Sequence, residues 1–234
     1  MVDSTNARAA VLARSGVPHG TLVTADNQTA GRGRRGRRWN APSGQALLLS
    51  LVLRRWDDLL ALRAGLAAAD LAGAQATVKW PNDVLVGGRK VAGVLAERRH
   101  GEEWVVLGVG VNAAVDVERL EPALQATAGS LGRDPSEMGR TLEDFLRLLQ
   151  ARLHQPQTAA LRDLRARDAL AGQEVSWATA GGPLDRTGTA VGIDGCGRLL
   201  VRGRHADEIV ALSGGEVQTV RAATERTSKA SARS

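Results

Sequence analysis

Nine consecutive residues, Gly31-Arg32-Gly33-Arg34-Arg35-Gly36-Arg37-Arg38-Trp39, place five guanidinium groups and three glycines in one short stretch. No helix or strand can bury it, because glycine weakens both and the like charges repel unless water or an anion separates them. The stretch is a surface loop, and an internal one, since apolar runs at residues 21–25 and 45–53 flank it and read as strands. Several uses compete for such a loop. Its glycines match G-x-G-x-x-G, but a dinucleotide fingerprint needs a helix at the third glycine, and Asn40, Pro42, Ser43 and Gly44 follow at once. Arg/Gly segments that bind RNA are usually long and terminal, and this one is neither. A solvated charge run would leave the large indole of Trp39 exposed at its end. The remaining use accounts for all three features. Glycines let backbone approach a ligand, guanidinium forks neutralise phosphate oxygens, and self-repulsion keeps the loop mobile until a polyanion orders it, as in a lid over a nucleotide.

The rest of the chain divides into two parts. Ser4, Thr5 and Asn6 supply N-caps for a helix over residues 7–14, which Gly16 and Pro18 close. Residues 45–53 read as a buried strand, 59–74 as an Ala/Leu helix, and 76–80, 84–86 and 91–97 as strands, the last two joined by a Gly87-Gly88 bend. Residues 104–111 add another buried strand. Residues 141–154 and 158–170 are amphipathic, with Leu142, Phe145, Leu146, Leu149 and Leu153 on one stripe. After Gly172 short β segments follow at 174–177, 187–193, 198–201, 209–212 and 217–220, separated by Gly-rich turns. The expected fold is α+β: a mixed β-sheet packed with helices over residues 1–170, then a small barrel-like β module over 171–221. Residues 222–234 are polar, offer nothing to a core and are expected to be disordered.

Composition narrows the function. Of the net charge of +6, the loop at 32–38 carries +5 and the tail at 221–234 carries +3, so the rest of the chain sits at −2. A duplex-binding surface usually spreads basic charge along a face or helix instead. Aromatic residues make up 3% and Tyr is absent, which counts against a single-strand RNA binder. One cysteine, Cys196, excludes an internal disulfide framework and a Cys-based zinc site, and fits the reducing cytoplasm. There is no apolar run of membrane-spanning length, no signal-like N-terminus, no G-x-S-x-G elbow and no P-loop.

Three further motifs stand out. Lys79-Trp80-Pro81-Asn82-Asp83 ends a strand with an amide and a carboxylate at its C-terminal edge, although alone it also describes an ordinary turn. Lys90 opens the strand that carries Gly93, where the missing side chain leaves room for a flat ligand or another backbone. Gly108-Val109-Gly110-Val111-Asn112 is an apolar strand ending in an amide. Only three lysines occur in a chain with 28 arginines, and Lys79 and Lys90 are two of them, a sign that a compact ammonium is needed there.

These motifs, with Ser4-Thr5-Asn6 and the run from Gln28 to Trp39, resemble in content and order the series found in biotin–protein ligases of the monofunctional type. The β module resembles that family's SH3-like C-terminal domain. The resemblance implies a class II synthetase-like biotin/lipoate ligase catalytic domain and a two-step reaction. Biotin and ATP, with Mg2+, form biotinyl-5′-AMP and pyrophosphate, and the biotinyl group then passes to a lysine of a biotin carboxyl carrier domain. It also implies roles. Ser4, Thr5, Asn6, Gln28, Gly31, Arg32, Gly33, Arg34, Lys90 and Gly93 would bind biotin. Arg34, Arg37, Trp39, Lys79, Asn82 and Asn112 would bind ATP, and Lys90, Arg34 and Asp83 would be catalytic, with metal ligands left unassigned. No nucleic acid or membrane partner is implied, and homodimerisation is left open because family members differ. The chain starts almost directly at Ser4, so the resemblance does not extend to the DNA-binding domain of the repressor ligases. Only Met1 to Asp3 stand where the family has a lead-in strand, which suggests a late start or a lost sheet edge.

Overall fold

The computed structural model describes residues 1–178, 186–203, 208–214 and 217–220. Its main sheet contains β1 (Thr21–Thr24), β2 (Leu47–Leu53), β3 (Thr77–Lys79), β4 (Asp83–Val86), β5 (Arg89–Glu97) and β6 (Val105–Val111). The strands are antiparallel, in the order β1-β2-β6-β5-β4-β3. The β2–β6 ladder runs from Leu47 opposite Val111 to Leu53 opposite Val105, and strand alternation gives it two unlike faces. Leu47, Leu49, Leu51 and Leu53, with Val105, Leu107, Val109 and Val111, enter the main core. That core is closed by α2 (Leu60–Ala72), α4 (Met138–His154) and α5 (Gln157–Ala166). On the opposite face, α1 (Thr5–Arg14) lays Ala9 and Ala13 over Val52 and Val106, and beside this patch the strands present Ser50, Gly108 and Gly110. A one-turn helix, α3 (Pro122–Gln125), lies in the connection that follows β6. At the start of the chain a single bridge pairs Val2 with Gln28.

The C-terminal strands are β7 (Glu174–Trp177), β8 (Arg186–Ile193), β9 (Leu199–Gly203), β10 (Ile209–Leu212) and β11 (Val217–Thr219), in the order β10-β9-β8-β7-β11. Among the described residues no ladder joins β10 to β11, so the expected barrel-like module takes the form of a five-stranded antiparallel sheet. Val175, Trp177, Leu199, Val201 and Val217 share one apolar cluster with α2 and α5. Trp80 Nε1, just after β3, donates to the Gly197 carbonyl at 3.0 Å and Arg165 Nε, on α5, to that of Ile193 at 2.8 Å, which ties the module to the sheet end and to the helical layer. The polar tail at 222–234 lies outside the described residues. Among those described, no helix is long and apolar enough to cross a membrane.

Two helix ends differ from the sequence expectation by three residues or more. α4 begins at Met138 rather than 141, because it continues a 3-10 turn at Pro135–Glu137 that a capping box of Asp134 and Glu137 starts. α5 stops at Ala166 rather than 170, since the next residues bridge to β3: Val78 N–H donates to the Arg167 carbonyl and Ala169 N–H to that of Val78. Asp168 accepts the Leu170 N–H there, and burial pushes its carboxyl above the usual range.

Polar links hold the helical layer. Arg63, 4% exposed, donates to the Arg152 and Gln155 carbonyls at 2.8 and 2.7 Å and so satisfies the C-terminus of α4. Arg152 forks onto both oxygens of Asp70 and reaches Asp163. Hydrogen bonds from Gln155 and Arg152 hold the Asp163 carboxyl below the ordinary carboxylate range. A depressed pKa contributes stability above the unfolded value of about 3.9 that is lost as pH falls through the folded one. Asp163→Asn should therefore lower Tm at pH 7 by roughly 2–4 °C, with the gap to wild type closing below about pH 4. Thermal melts at pH 7 and pH 3 check both the sign and the window.

Candidate active site

The cleft is the uncovered part of the two-faced sheet. At its inner end, Ser4 caps α1 by accepting the Ala7 N–H, which makes Thr5 and Asn6 first-turn residues that turn onto the sheet. The expected caps are thus one cap and two helical residues. Helix starts leave N–H groups without intrahelical partners, and Gln28 Oε1 takes that of Thr5 at 2.7 Å. Ser50, fully buried on β2, lies 2.8 Å from Thr5 Oγ1 and 2.6 Å from Asn6 Oδ1. Asn6 Nδ2 donates to Glu97 at 2.8 Å. Gly108 is required here, since a β-carbon would collide with the Asn6 amide.

The floor is a cross-strand pair of glycines, Gly93 on β5 and Gly110 on β6. The Trp39 ring lies over both, and Lys90 Nζ stands 5.4 Å from its centroid. Among the described residues the buried Trp39 Nε1–H has no acceptor, an unmet donor that costs about 1–3 kcal/mol and suits a ligand oxygen. Lys90 Nζ forms an ion pair with Asp83 Oδ1 at 2.7 Å.

The arginine/glycine loop covers this floor as a narrow hairpin. Gly33 N–H donates to the Arg37 carbonyl at 2.7 Å and Trp39 N–H to that of Gly31 at 3.0 Å, around a tight turn at Arg34–Gly36. Arg35 there has φ 56°, a left-handed conformation uncommon outside glycine. Gly31 is required because the Trp39 carbonyl fills the space of its β-carbon. Three of its arginines are held by neighbouring groups: Arg34 donates to Asn82 Oδ1 at 3.2 Å, Arg32 pairs with Glu97 at 3.3 Å, and Arg38 reaches the Thr29 carbonyl at 2.7 Å.

Of the residues singled out from sequence, Ser4, Thr5, Asn6, Gln28, Arg32 and Gly33 line one cavity of about 120 Å³. Arg34, Arg37, Trp39, Asn82, Lys90 and Gly93 complete it. Lys79 and Asp83 line an adjoining hollow that shares Arg34, Arg37 and Asn82 with the first. Gly31 lies instead on a separate hollow between the loop and the end of β5 at Leu95 and Glu97. Asn112 lies outside both: its amide donates to the Gly129 carbonyl at 2.9 Å, and the same segment pairs with the Lys90 backbone. It braces Lys90 from behind. Sequence reasoning missed Ser50 and assigned no role to Glu97. Ser50 had a signal, a lone hydroxyl inside the apolar run Leu47–Leu53, whereas the Glu97 contacts depend on the meeting of loop, helix and strand.

A strand floor of glycines beneath a glycine/arginine hairpin, with a lysine at its edge, makes a cleft whose cations suit an anionic ligand, and similarity to known proteins makes it that of a ligase. Residues 1–112 match the family described as the biotin/lipoate A/B protein ligase family, and the chain belongs to that family. It is 38% identical to the biotin–(acetyl-CoA-carboxylase) ligase of Mycobacterium tuberculosis, over 93% of this chain and 86% of that one. To the ligase of the same name from Paracoccus denitrificans it is 36% identical, over 89% and 94%. The structure of the Aquifex aeolicus biotin protein ligase in complex with biotin and ATP superposes with a TM-score of 0.76 at 27% identity, covering 94% of this chain and 96% of that one.

The glycine floor is open to a direct test. Gly110→Ala places a methyl about 2.5 Å from the Trp39 ring, so the indole must leave its seat at a cost of about 1–3 kcal/mol. We expect a lower Tm and a red-shifted tryptophan emission. Gly139→Ala, on α4 with nothing near its β-carbon, should leave emission unchanged and stability equal or slightly higher.

Proposed function

We infer that the chain is an ATP-dependent biotin–protein ligase that forms biotinyl-5′-AMP and pyrophosphate and then biotinylates a lysine of a carboxylase carrier domain. The observation that carries this is the convergence in one cleft of the Thr5–Asn6–Gln28 end, the arginine hairpin and Lys90, in a chain similar along most of its length to biotin ligases. In the reading we favour, the ring of biotin lies at the inner end against Ser4, Thr5, Asn6 and Gln28, where paired amides and hydroxyls suit a cyclic urea. Its carboxylate points along the glycine floor toward Lys90.

Biotin carboxylate attacks the α-phosphorus of ATP, the bond to the β-phosphate oxygen breaks, and pyrophosphate leaves. Lys90, Arg34 and Arg37 offset the charge on the phosphoryl oxygens, and the Trp39 Nε1–H finds an acceptor in the ligand. Lys79 and Asn82 stand toward the nucleotide side, and Asn112 supports Lys90 rather than touching ATP. The hairpin lies over the mixed anhydride and keeps water from it. In the second step an uncharged acceptor amine attacks the acyl carbon and AMP departs. Asp83 orients that amine or takes its proton once Lys90 has turned to the phosphate. Among the described residues no three His, Cys, Asp or Glu side chains cluster, which fits Mg2+ carried by the triphosphate, with Asp83 the carboxylate at hand. Such a metal would neutralise the departing pyrophosphate. The free Cys196 suits action in the cytoplasm.

Biotin-dependent exchange of labelled pyrophosphate into ATP tests the first half-reaction; folded protein that shows none refutes it. Lys90→Arg keeps the charge but replaces a compact ammonium with a planar fork, and exchange should fall by about 10²-fold. Wild-type exchange in that variant removes Lys90 from the chemistry. Arg34→Ala should keep biotin KM within about threefold but raise the ratio of AMP formed to acceptor biotinylated about tenfold as the anhydride is lost to water. An unchanged ratio would sink the lid assignment.

A further inference from the structure

Glu97 closes β5 at the point where the helix start and the arginine hairpin meet. Its Oε2 accepts the Asn6 Nδ2–H at 2.8 Å, and Arg32 spans its two oxygens at 3.3 and 3.4 Å. Behind Asn6 lies the buried Ser50 hydroxyl, with Asn6 Oδ1 and Thr5 Oγ1 both within 2.8 Å. A hydroxyl has one proton and an amide oxygen only accepts. A carboxylate beside Asn6 allows one amide orientation, Nδ2 outward and Oδ1 toward Ser50. The Ser50 proton then goes to Asn6 Oδ1 at 2.6 Å, and the Thr5 hydroxyl, 2.8 Å from Ser50 Oγ and 3.1 Å from Gln28 Oε1, donates to one of these two and keeps a lone pair to accept. Gln28 Oε1, which takes the Thr5 N–H at 2.7 Å and lies 3.1 Å from Thr5 Oγ1, completes the inner end.

We propose that Glu97 is a positioning residue: its charge fixes the amide orientation of Asn6, and with it the direction of the Asn6–Ser50 hydrogen bond at the end that meets the ligand's ring, and the same carboxylate tethers Arg32 of the hairpin over it. The ligand side rests on the biotin reading above, in which the cyclic urea brings two N–H donors and one carbonyl to this end. The Arg32–Glu97 pair is half-exposed and so is a weak, exchangeable latch, as a loop that must open requires.

Glu97→Gln keeps the shape but accepts either amide orientation of Asn6. Biotin KM in pyrophosphate exchange should rise about tenfold, while ATP KM and kcat stay within about threefold. In an Asn6→Asp background two carboxylates face each other, and there Glu97→Gln should lower biotin KM, because the introduced amide can donate to the new carboxylate. A residue that only supports the fold would do harm in both backgrounds. The tether has a readout that needs no biotin: tryptic cleavage within residues 32–38 should quicken by up to about fivefold in Glu97→Gln, with Tm unchanged. Unchanged biotin KM with normal wild-type exchange overturns the polarity claim, as does additive damage with Asn6→Asp. Unchanged cleavage overturns the tether. Absence of exchange in the wild-type chain, with faster cleavage in the variant, overturns the biotin reading and keeps the tether.

Discussion

The β2–β6 ladder imposes the constraint on which the rest depends. One face of it is wall-to-wall Leu and Val and can be satisfied only under the helical layer; on the other, α1 covers Val52 and Val106, and Ser50, Gly108 and Gly110 leave a bare patch beside them where large side chains would otherwise stand. Burial of the first face stabilises the sheet at roughly 25 cal/mol per Å² of apolar surface. That leaves the second face free to be shaped by what it must hold. Because Gly110 faces Gly93 across the next ladder, the bare patch is two strands wide, enough to seat an indole and leave a slot beside it.

Charge is arranged by the same geometry. The five loop arginines would destabilise one another on a featureless surface, but the hairpin turns Arg32 onto Glu97 and Arg34 onto Asn82. These contacts are solvent-accessible and worth little singly. The helical layer holds the opposite kind of network, in which Arg63 and Arg152 are largely buried and each is spent on several acceptors at once. Strong, committed pairs fix the scaffold, and weak, replaceable ones lie where a phosphate must compete for the same guanidinium groups.

Local signals made most of this legible. Continuous apolar runs marked β2 and β6, the Gly87-Gly88 bend marked the β4–β5 hairpin, and the loop's composition marked the cleft. What failed to show did so for physical reasons. α5 ends early because a bridge to β3, remote in sequence, outweighs helix propensity after Ala166. Asn112 has the residue type of a ligand contact, yet the segment that passes behind Lys90 claims its amide. Glu97 has no distinguishing neighbours in sequence, and its partners Asn6 and Arg32 lie 91 and 65 residues away.

Read alone, the order and spacing of residues determined the α+β class, the chemistry gathered in the cleft and the family, because periodicity, turn chemistry and motif content are properties of neighbours along the chain. Tertiary structure alone decided which groups face one another: that the glycines of β5 and β6 align into a floor for Trp39, that the Asn112 amide bonds to the Gly129 carbonyl behind Lys90, and that Ser50 and Glu97 join the inner end. Those outcomes follow from strand register and from how a helix start docks on a sheet, and both depend on contacts between residues far apart in sequence.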